Sequence, residues 1–164
     1  MNYKEIKKYD ITNSCTGIVT SIFFCGCTFQ CPDCFNKEIW DFNAGNKFDE
    51  MAKNQLFSYL SNPNVKGLSV LGGEPLMQGE ELRDLLKEVK EKYPNKMIYL
   101  WTGFYLSEIK DDVRLGILSY CDFVIDGRFE KGKKDLNLNL RGSSNQTVWE
   151  KNVEGKFVKS YLNN

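Results

Sequence analysis

The stretch GLSVLGGEPLMQGEELRDLLKEVKEKYPNKMIYLWTG, residues 67–103, decides the fold. Gly67 to Leu71 is a short apolar run that reads as a strand, and Gly72-Gly73-Glu74-Pro75 breaks it. From Gly79 to Tyr93, Leu82, Leu85, Leu86 and Val89 follow the i, i+3, i+4, i+7 spacing of an amphipathic helix. Lys96 to Trp101 reads as the next strand, ended by Thr102-Gly103. Outward from this unit the alternation continues. Gly17 to Phe24 (GIVTSIFF) is rich in β-branched and aromatic residues and reads as a buried strand. Asp49 to Leu60 reads as a helix with Met51, Leu56 and Leu60 on its apolar side. Leu106 to Tyr120 places Leu106, Ile109, Val113 and Ile117 on one helical face, and Asp122 to Asp126 is a fourth strand. Strands alternating with helices predict an α/β fold with a parallel sheet. A closed eightfold barrel needs roughly 250 residues. A chain of 164 residues is too short for that, so an open, partial (β/α) barrel in one domain, residues 1–164, is expected. After Gly127 the chain reads as loop, with a short final strand within Gly155 to Tyr161.

Composition narrows the function. Lys plus Arg is 22 and Asp plus Glu is 22, so no electrostatic field favours nucleic acid or an anionic membrane. No apolar run approaches the roughly 18 residues of a membrane span. Met1-Asn2-Tyr3-Lys4-Glu5 does not open a signal peptide, and a cytoplasmic protein is expected. There is no histidine. Ser-His-Asp hydrolysis, Cys-His proteolysis and His-ligated zinc catalysis therefore lose their central residue. Any chemistry must rest on Cys, carboxylates, Lys, Arg or a cofactor.

The residues with chemical potential gather after strand ends: the cysteines, GGEP, Thr102-Gly103 and Asp126. In parallel α/β folds the carboxyl ends of the strands form the ligand face. Of the six cysteines, Cys25, Cys27, Cys31 and Cys34 fall within ten residues, while Cys15 and Cys121 stand apart and read as buried apolar thiols. Such a cluster in a chain without disulfide-scaffold spacing points to metal. Cys27, Cys31 and Cys34 form a CxxxCxxC loop, and three thiolates on one iron–sulfur cluster would leave an iron open to a chelating ligand. With Cys25 as a fourth ligand the site would instead resemble a closed structural zinc knuckle. Both readings stand on spacing alone.

CxxxCxxC followed by Phe35 and by GGEP resembles the radical S-adenosylmethionine (SAM) superfamily. Cys34-Phe35-Asn36, Leu100-Trp101-Thr102-Gly103-Phe104, Ile125-Asp126-Gly127-Arg128-Phe129 and Leu140-Arg141-Gly142-Ser143-Ser144-Asn145-Gln146 narrow the resemblance. Together they are similar to the activating proteins of anaerobic (class III) ribonucleoside-triphosphate reductase. That family's loop often reads Cys-x-His-x-Cys-x-Gly-Cys-Tyr-Asn, and here Phe29, Asp33 and Phe35 replace the histidine, glycine and tyrosine. The resemblance implies a [4Fe–4S] cluster on Cys27, Cys31 and Cys34, with SAM on the fourth iron. It implies cofactor contacts from Asp33, Cys34 and Phe35, with Phe35 near the adenine. Gly72, Gly73 and Glu74 would receive the methionyl amino group, and Thr102, Asp126 and Arg128 would meet ribose or carboxylate. A 5′-deoxyadenosyl radical would then take hydrogen from a glycine of the partner reductase, with the electron supplied by a flavodoxin-type donor. The tail Arg141 to Gln146 receives no role. A radical SAM enzyme acting on a small molecule, such as one similar to 7-carboxy-7-deazaguanine synthase, and a zinc-binding module without activity are the alternatives.

Overall fold

The computed structural model describes residues 1–164. Its eight strands are β1 (Asn2–Asp10), β2 (Val19–Phe24), β3 (Asn46–Lys47), β4 (Gly67–Gly72), β5 (Met97–Trp101), β6 (Phe123–Asp126), β7 (Thr147–Lys151) and β8 (Phe157–Lys159). Three helices intervene: α1 (Glu50–Leu60), α2 (Glu80–Lys92) and α3 (Asp112–Ser119). All strands join one sheet in the order β3-β1-β2-β4-β5-β6-β7-β8. Only the centre, β2-β4-β5-β6, is parallel. The outer pairs β1–β3, β1–β2, β6–β7 and β7–β8 are antiparallel. The sheet is therefore mixed and open, where the alternation of elements led us to expect parallel pairing throughout.

β1, β3 and β7 escape a reading based on periodicity. β1 carries Lys4, Glu5, Lys7 and Lys8, and most of it stays exposed. It holds its place through backbone pairing with β2, Ile6 opposite Ile22. An antiparallel flanking strand needs only one packed face.

The parallel centre is buried on both faces, as expected where each face is covered. One face receives the helices, and Ile22, Phe24, Leu68, Val70, Ile98 and Leu100 meet Leu56, Leu60, Leu82, Leu86 and Ile117 there. The predicted stripe of α2 is buried complete, Leu82, Leu85, Leu86 and Val89. Full burial of each such side chain stabilises by about 1.5–3 kcal/mol. Asp49 caps α1, accepting from the Ala52 amide at 3.0 Å. This phase buries Ala52, Leu56, Phe57 and Leu60 and leaves Met51 79% exposed, contrary to its assignment to the apolar side. At 3.6 residues per turn Met51 lies about 140° from Leu56. The predicted helix from Leu106 is also interrupted. Residues 106–108 make one 3₁₀ turn, and α3 starts only after Asp111, whose carboxylate caps Arg114 N at 3.0 Å.

On the face opposite the helices, Val19, Tyr99, Phe123, Ile125, Val148 and Leu162 pack together. The turn after β1 closes that face from below: Ser21 Oγ donates to Asp10 Oδ2 at 2.7 Å, and Ser69 Oγ donates to the Asn13 carbonyl at 2.6 Å. The Tyr99 hydroxyl lies 2.8 Å from Thr16 Oγ1. At the other end the four parallel strands release the loops that carry the cysteines, GGEP, Thr102-Gly103 and Gly127-Arg128. No helix is long and apolar enough to cross a membrane.

Candidate metal and cofactor site

Beyond the carboxyl ends of β2, β4, β5 and β6 lies a cavity of about 240 Å³. Cys27, Cys31 and Cys34 line it, with Phe29, Phe35, Asn36 and Trp40 from the same loop. Leu71, Gly72, Gly73 and Glu74 come from β4 and its turn, and Trp101, Thr102 and Gly103 from the end of β5. Gly127, Arg128, Phe129, Leu140, Gly142 and Gln146 complete the far wall.

The cysteine loop is bent by its backbone. Gly26 and Cys27 donate to the carbonyls of Ile39 and Trp40, at 2.8 and 2.9 Å. Gln30 and Asp33 adopt φ of 50° and 56°, each immediately before a cysteine. Alternating right- and left-handed residues turn backbone amides toward one side, where they favour negative charge. The sulfurs lie among such amides. Asn36 N donates to Cys34 Sγ at 3.4 Å. Burial pushes the Cys27 thiol above its ordinary range, and the nearby Glu74 carboxylate adds to this, against the amides of Phe29 and Gln30. Cys31 is pushed up by burial and by Cys34, against the amide of Phe129 and the charge of Arg128. Protons on such thiols are displaced when a metal binds. Phe29 anchors the loop, with its ring 4.7 Å from Phe104 and 4.5 Å from the Arg128 guanidinium. Gly103 must be glycine there, since a Cβ would stand 2.6 Å from the Phe29 ring.

Cys25 does not join the other three. Its side chain is fully buried behind the loop, where a Cβ on Gly45 would stand 2.9 Å from its sulfur. Cys121 is buried, its thiol pushed up to about 12 by desolvation. Cys15 is half-buried, 3.4 Å from the Tyr99 hydroxyl.

The turn after β4 runs against the cysteine loop. Gly73 N donates to Phe24 O and Glu74 N to Gly26 O, both at 2.8 Å. A Cβ on Gly73 would stand 2.5 Å from the Gly26 carbonyl, and Gly72 has φ +116° against Phe24. Glycine is what lets these two backbones approach. Glu74 is 1% exposed. One carboxylate oxygen accepts from Thr102 Oγ1 at 2.7 Å and Leu76 N at 3.0 Å, the other from Gly103 N at 2.7 Å. Desolvation outweighs these donors and raises its pKa to about 7. Glu74 thus ties the end of β4 to the end of β5.

The remaining expected residues divide. Thr102 and Arg128 line the cavity, but Thr102 Oγ1 is engaged with Glu74 and Arg128 pairs with Glu108 at 3.3 Å. Phe35 lines the mouth with 72% exposure, 6.1 Å from Phe129 and 5.2 Å from Lys134 Nζ. Asp33 and Asp126 lie outside the lining. Asp33 forms an exposed pair with Lys131 at 2.6 Å. Asp126 is 2% exposed, accepts from Leu106 N at 2.8 Å through Oδ2, and leaves Oδ1 without a partner. Sequence reasoning missed Trp40, Trp101 and Leu140 as lining residues, and left Gln146 without a role. The polar run Arg141 to Gln146, which carries no apolar spacing of a helix or strand, was the available signal.

No three Cys, Asp or Glu side chains converge tightly enough to chelate one metal ion. A single zinc would need its thiolates about 2.3 Å from one centre. A cubane instead offers a separate iron to each thiolate, and three thiols spread along one cavity wall fit that group better. The comparisons agree. Residues 14–149 match the family model of a 4Fe-4S single cluster domain. The chain is 40% identical over 154 residues to the anaerobic ribonucleoside-triphosphate reductase-activating protein of Pasteurella multocida, covering 91% of this chain and 97% of that one. It is 37% identical to the protein of that name from Enterobacteria phage T4, covering 94% and 97%, and 34% identical to that of Escherichia coli K12, covering 90% and 97%. With near-complete coverage on both sides, the chain belongs to the family of anaerobic ribonucleoside-triphosphate reductase-activating proteins.

Proposed function

We propose that this protein is a SAM-dependent iron–sulfur activase that installs the glycyl radical of an anaerobic ribonucleoside-triphosphate reductase. The observation that carries the reading is the shared cavity: Cys27, Cys31 and Cys34 line it together with Gly72, Gly73 and Glu74, whereas Cys25 is buried behind it. Cys27, Cys31 and Cys34 would hold a [4Fe–4S] cluster. When bound, the cluster supplies the electron that splits SAM into methionine and a 5′-deoxyadenosyl radical, which removes hydrogen from the reductase glycine. The chain's own residues supply the surroundings. Amides around the thiols favour their anionic form. Leu71, Trp101 and Leu140 give the cavity an apolar lining that limits water, and Phe35, which lines the cavity mouth, would cover the adenine. Glu74 acts by clamping Thr102 and Gly103, which shape the cavity wall. Thr102 and Arg128 remain our candidates for polar contacts to SAM, with Asp126 and Asp33 supporting from outside the lining.

We read the open sheet as a partial barrel of the radical SAM type, and residues 1–164 as one such domain, working in the cytoplasm. A flavodoxin-type protein is the proposed electron donor. The test is anaerobic. Protein reconstituted with iron and sulfide should carry about four irons and cleave SAM slowly alone. Adding the reductase should produce a glycyl-radical doublet by electron paramagnetic resonance, absent when the partner's radical-bearing glycine is replaced by alanine. Turnover of a small radical SAM substrate, with no radical on the reductase, would move the protein to another radical SAM activity.

A further inference from the structure

Three residues other than glycine adopt left-handed backbone. Gln30 and Asp33 bend the cysteine loop, and the third, Leu140 with φ of 59°, lies in the opposite wall of the cavity. A leucine in this conformation is costly, because its Cβ crowds the following carbonyl. Such strain persists only where the surroundings over-determine it, and it gathers at functional sites. The surroundings of Leu140 do so. Its carbonyl accepts from Trp101 Nε1 at 2.8 Å. The guanidinium of Arg141, the next residue, donates to the carbonyls of Asn139 and Gln146, both at 3.4 Å. It also donates to those of Leu162 and Asn163, both at 3.3 Å. Gln146 Oε1 accepts from Gly142 N at 2.8 Å and Ser143 N at 3.1 Å, and its Nε2 donates to the Gly127 carbonyl at 2.9 Å. The polar run Arg141 to Gln146 thus fixes the backbone that follows one strained leucine. Leu140 and Trp101 both line the cavity, and both pack against the core cluster around Tyr99 and Leu162.

We propose that Leu140 is a ligand-contact residue: the turn Arg141 to Gln146 holds it left-handed, and its side chain forms the apolar surface on which SAM rests opposite the cysteines. The inference rests on SAM being the ligand of this cavity, as read above. Glycine would be free of strain at this position but would leave the wall without a side chain. Stability and ligand affinity should therefore oppose one another here.

The experiment reads two quantities on the full chain. One is the thermal midpoint of metal-free protein. The other is SAM binding by calorimetry to anaerobically reconstituted protein, with no reductant present, so that SAM binds without being split. Leu140→Ala and Leu140→Gly both lose the side chain, but only glycine is at ease in left-handed backbone. The glycine variant should therefore melt above the alanine variant, the reverse of the usual order. Both should bind SAM about tenfold more weakly than the parent. Leu140→Met, apolar and of similar size, should restore most of the affinity. Arg141→Lys loses the forked contacts that hold the turn. It should weaken SAM binding in the parent and add little to Leu140→Ala, because both act through one side chain. Leu136→Ala, at a position 83% exposed in the preceding loop, should match the parent. Alanine and glycine variants that carry a full cluster and bind SAM like the parent overturn the inference, making Leu140 a core residue only. An alanine variant as stable as the glycine variant overturns it through the strain. Loss of cluster from both variants overturns it as well, making the wall a brace for the cysteine loop. A parent protein that takes up its cluster and binds no SAM would instead overturn the reading of the cavity beneath it.

Discussion

Asp33 occupies the position before Cys34 where the family loop carries glycine, and its φ of 56° explains that preference. Left-handed backbone is open to glycine, tolerable for Asp or Asn, and costly for β-branched residues. Asp33→Gly should leave the thermal midpoint unchanged or slightly higher, since the exposed pair with Lys131 contributes little. Asp33→Val should lower it and slow cluster uptake, as calorimetry and iron titration would show; equal behaviour of the two variants would remove the backbone argument. Glu74 poses a different question. Its pKa of about 7, against an ordinary 4.5, means that the folded chain holds this proton more tightly than the unfolded one. Metal-free protein should therefore lose stability as pH rises from 4.5 to about 7, by about 3 kcal/mol at 1.36 kcal/mol per unit, and level off above. Glu74→Gln should flatten that slope in denaturant titrations across the range, and a slope unchanged by the substitution would assign it elsewhere. The cysteine loop and GGEP were legible because short spacing confines them to one place. Asp126 was legible only as a strand-end residue: one of its carboxylate oxygens accepts from Leu106 N, and it lies outside the cavity lining.

At the scale of elements, the parallel centre was legible and the flanks were not. β2, β4, β5 and β6 are buried on both faces, so their apolar runs stand out. β1 depends on backbone pairing and on one carboxylate that no local pattern reveals. Asp10 ends β1 with 1% exposure, and it accepts from Thr12 N, Thr12 Oγ1, Asn13 Nδ2 and Ser21 Oγ. Burial alone would raise its pKa, but the donors from Ser21, Asn13 and Thr12 prevail and hold it below the ordinary 3.8. That stabilisation is complete above the ordinary carboxylate value and is lost as pH falls beneath it. Asp10→Asn should cost about 1–3 kcal/mol at neutral pH by leaving donors unmatched, and should weaken the dependence on acid below pH about 4. Chemical unfolding at pH 7 and pH 3 gives both quantities. Equal loss at the two values would mean that the charge does not matter and only the shape does.

Across the whole molecule, the cavity joins parts that are remote in sequence. The loop after β2 forms one wall and the segment from Gly127 to Gln146 the other, while the sheet itself stays open. A group bound to one wall and packed against the other couples them, and anything that binds only the folded chain stabilises it. Reconstitution should therefore raise the thermal unfolding midpoint above that of the metal-free protein. Cys27→Ala, Cys31→Ala and Cys34→Ala should each lose that increment together with SAM cleavage, because each removes an iron bond. Cys15→Ala, Cys25→Ala and Cys121→Ala should keep both. Cys25 and Cys121 are fully buried, so their variants should start from a lower baseline through lost packing, yet the rise on cluster loading should persist. The increment, rather than the absolute midpoint, separates a ligand from a core thiol. If Cys25→Ala abolished the increment while one of the three lining cysteines could be replaced without losing it, the cluster would sit behind the loop and the cavity would have another use.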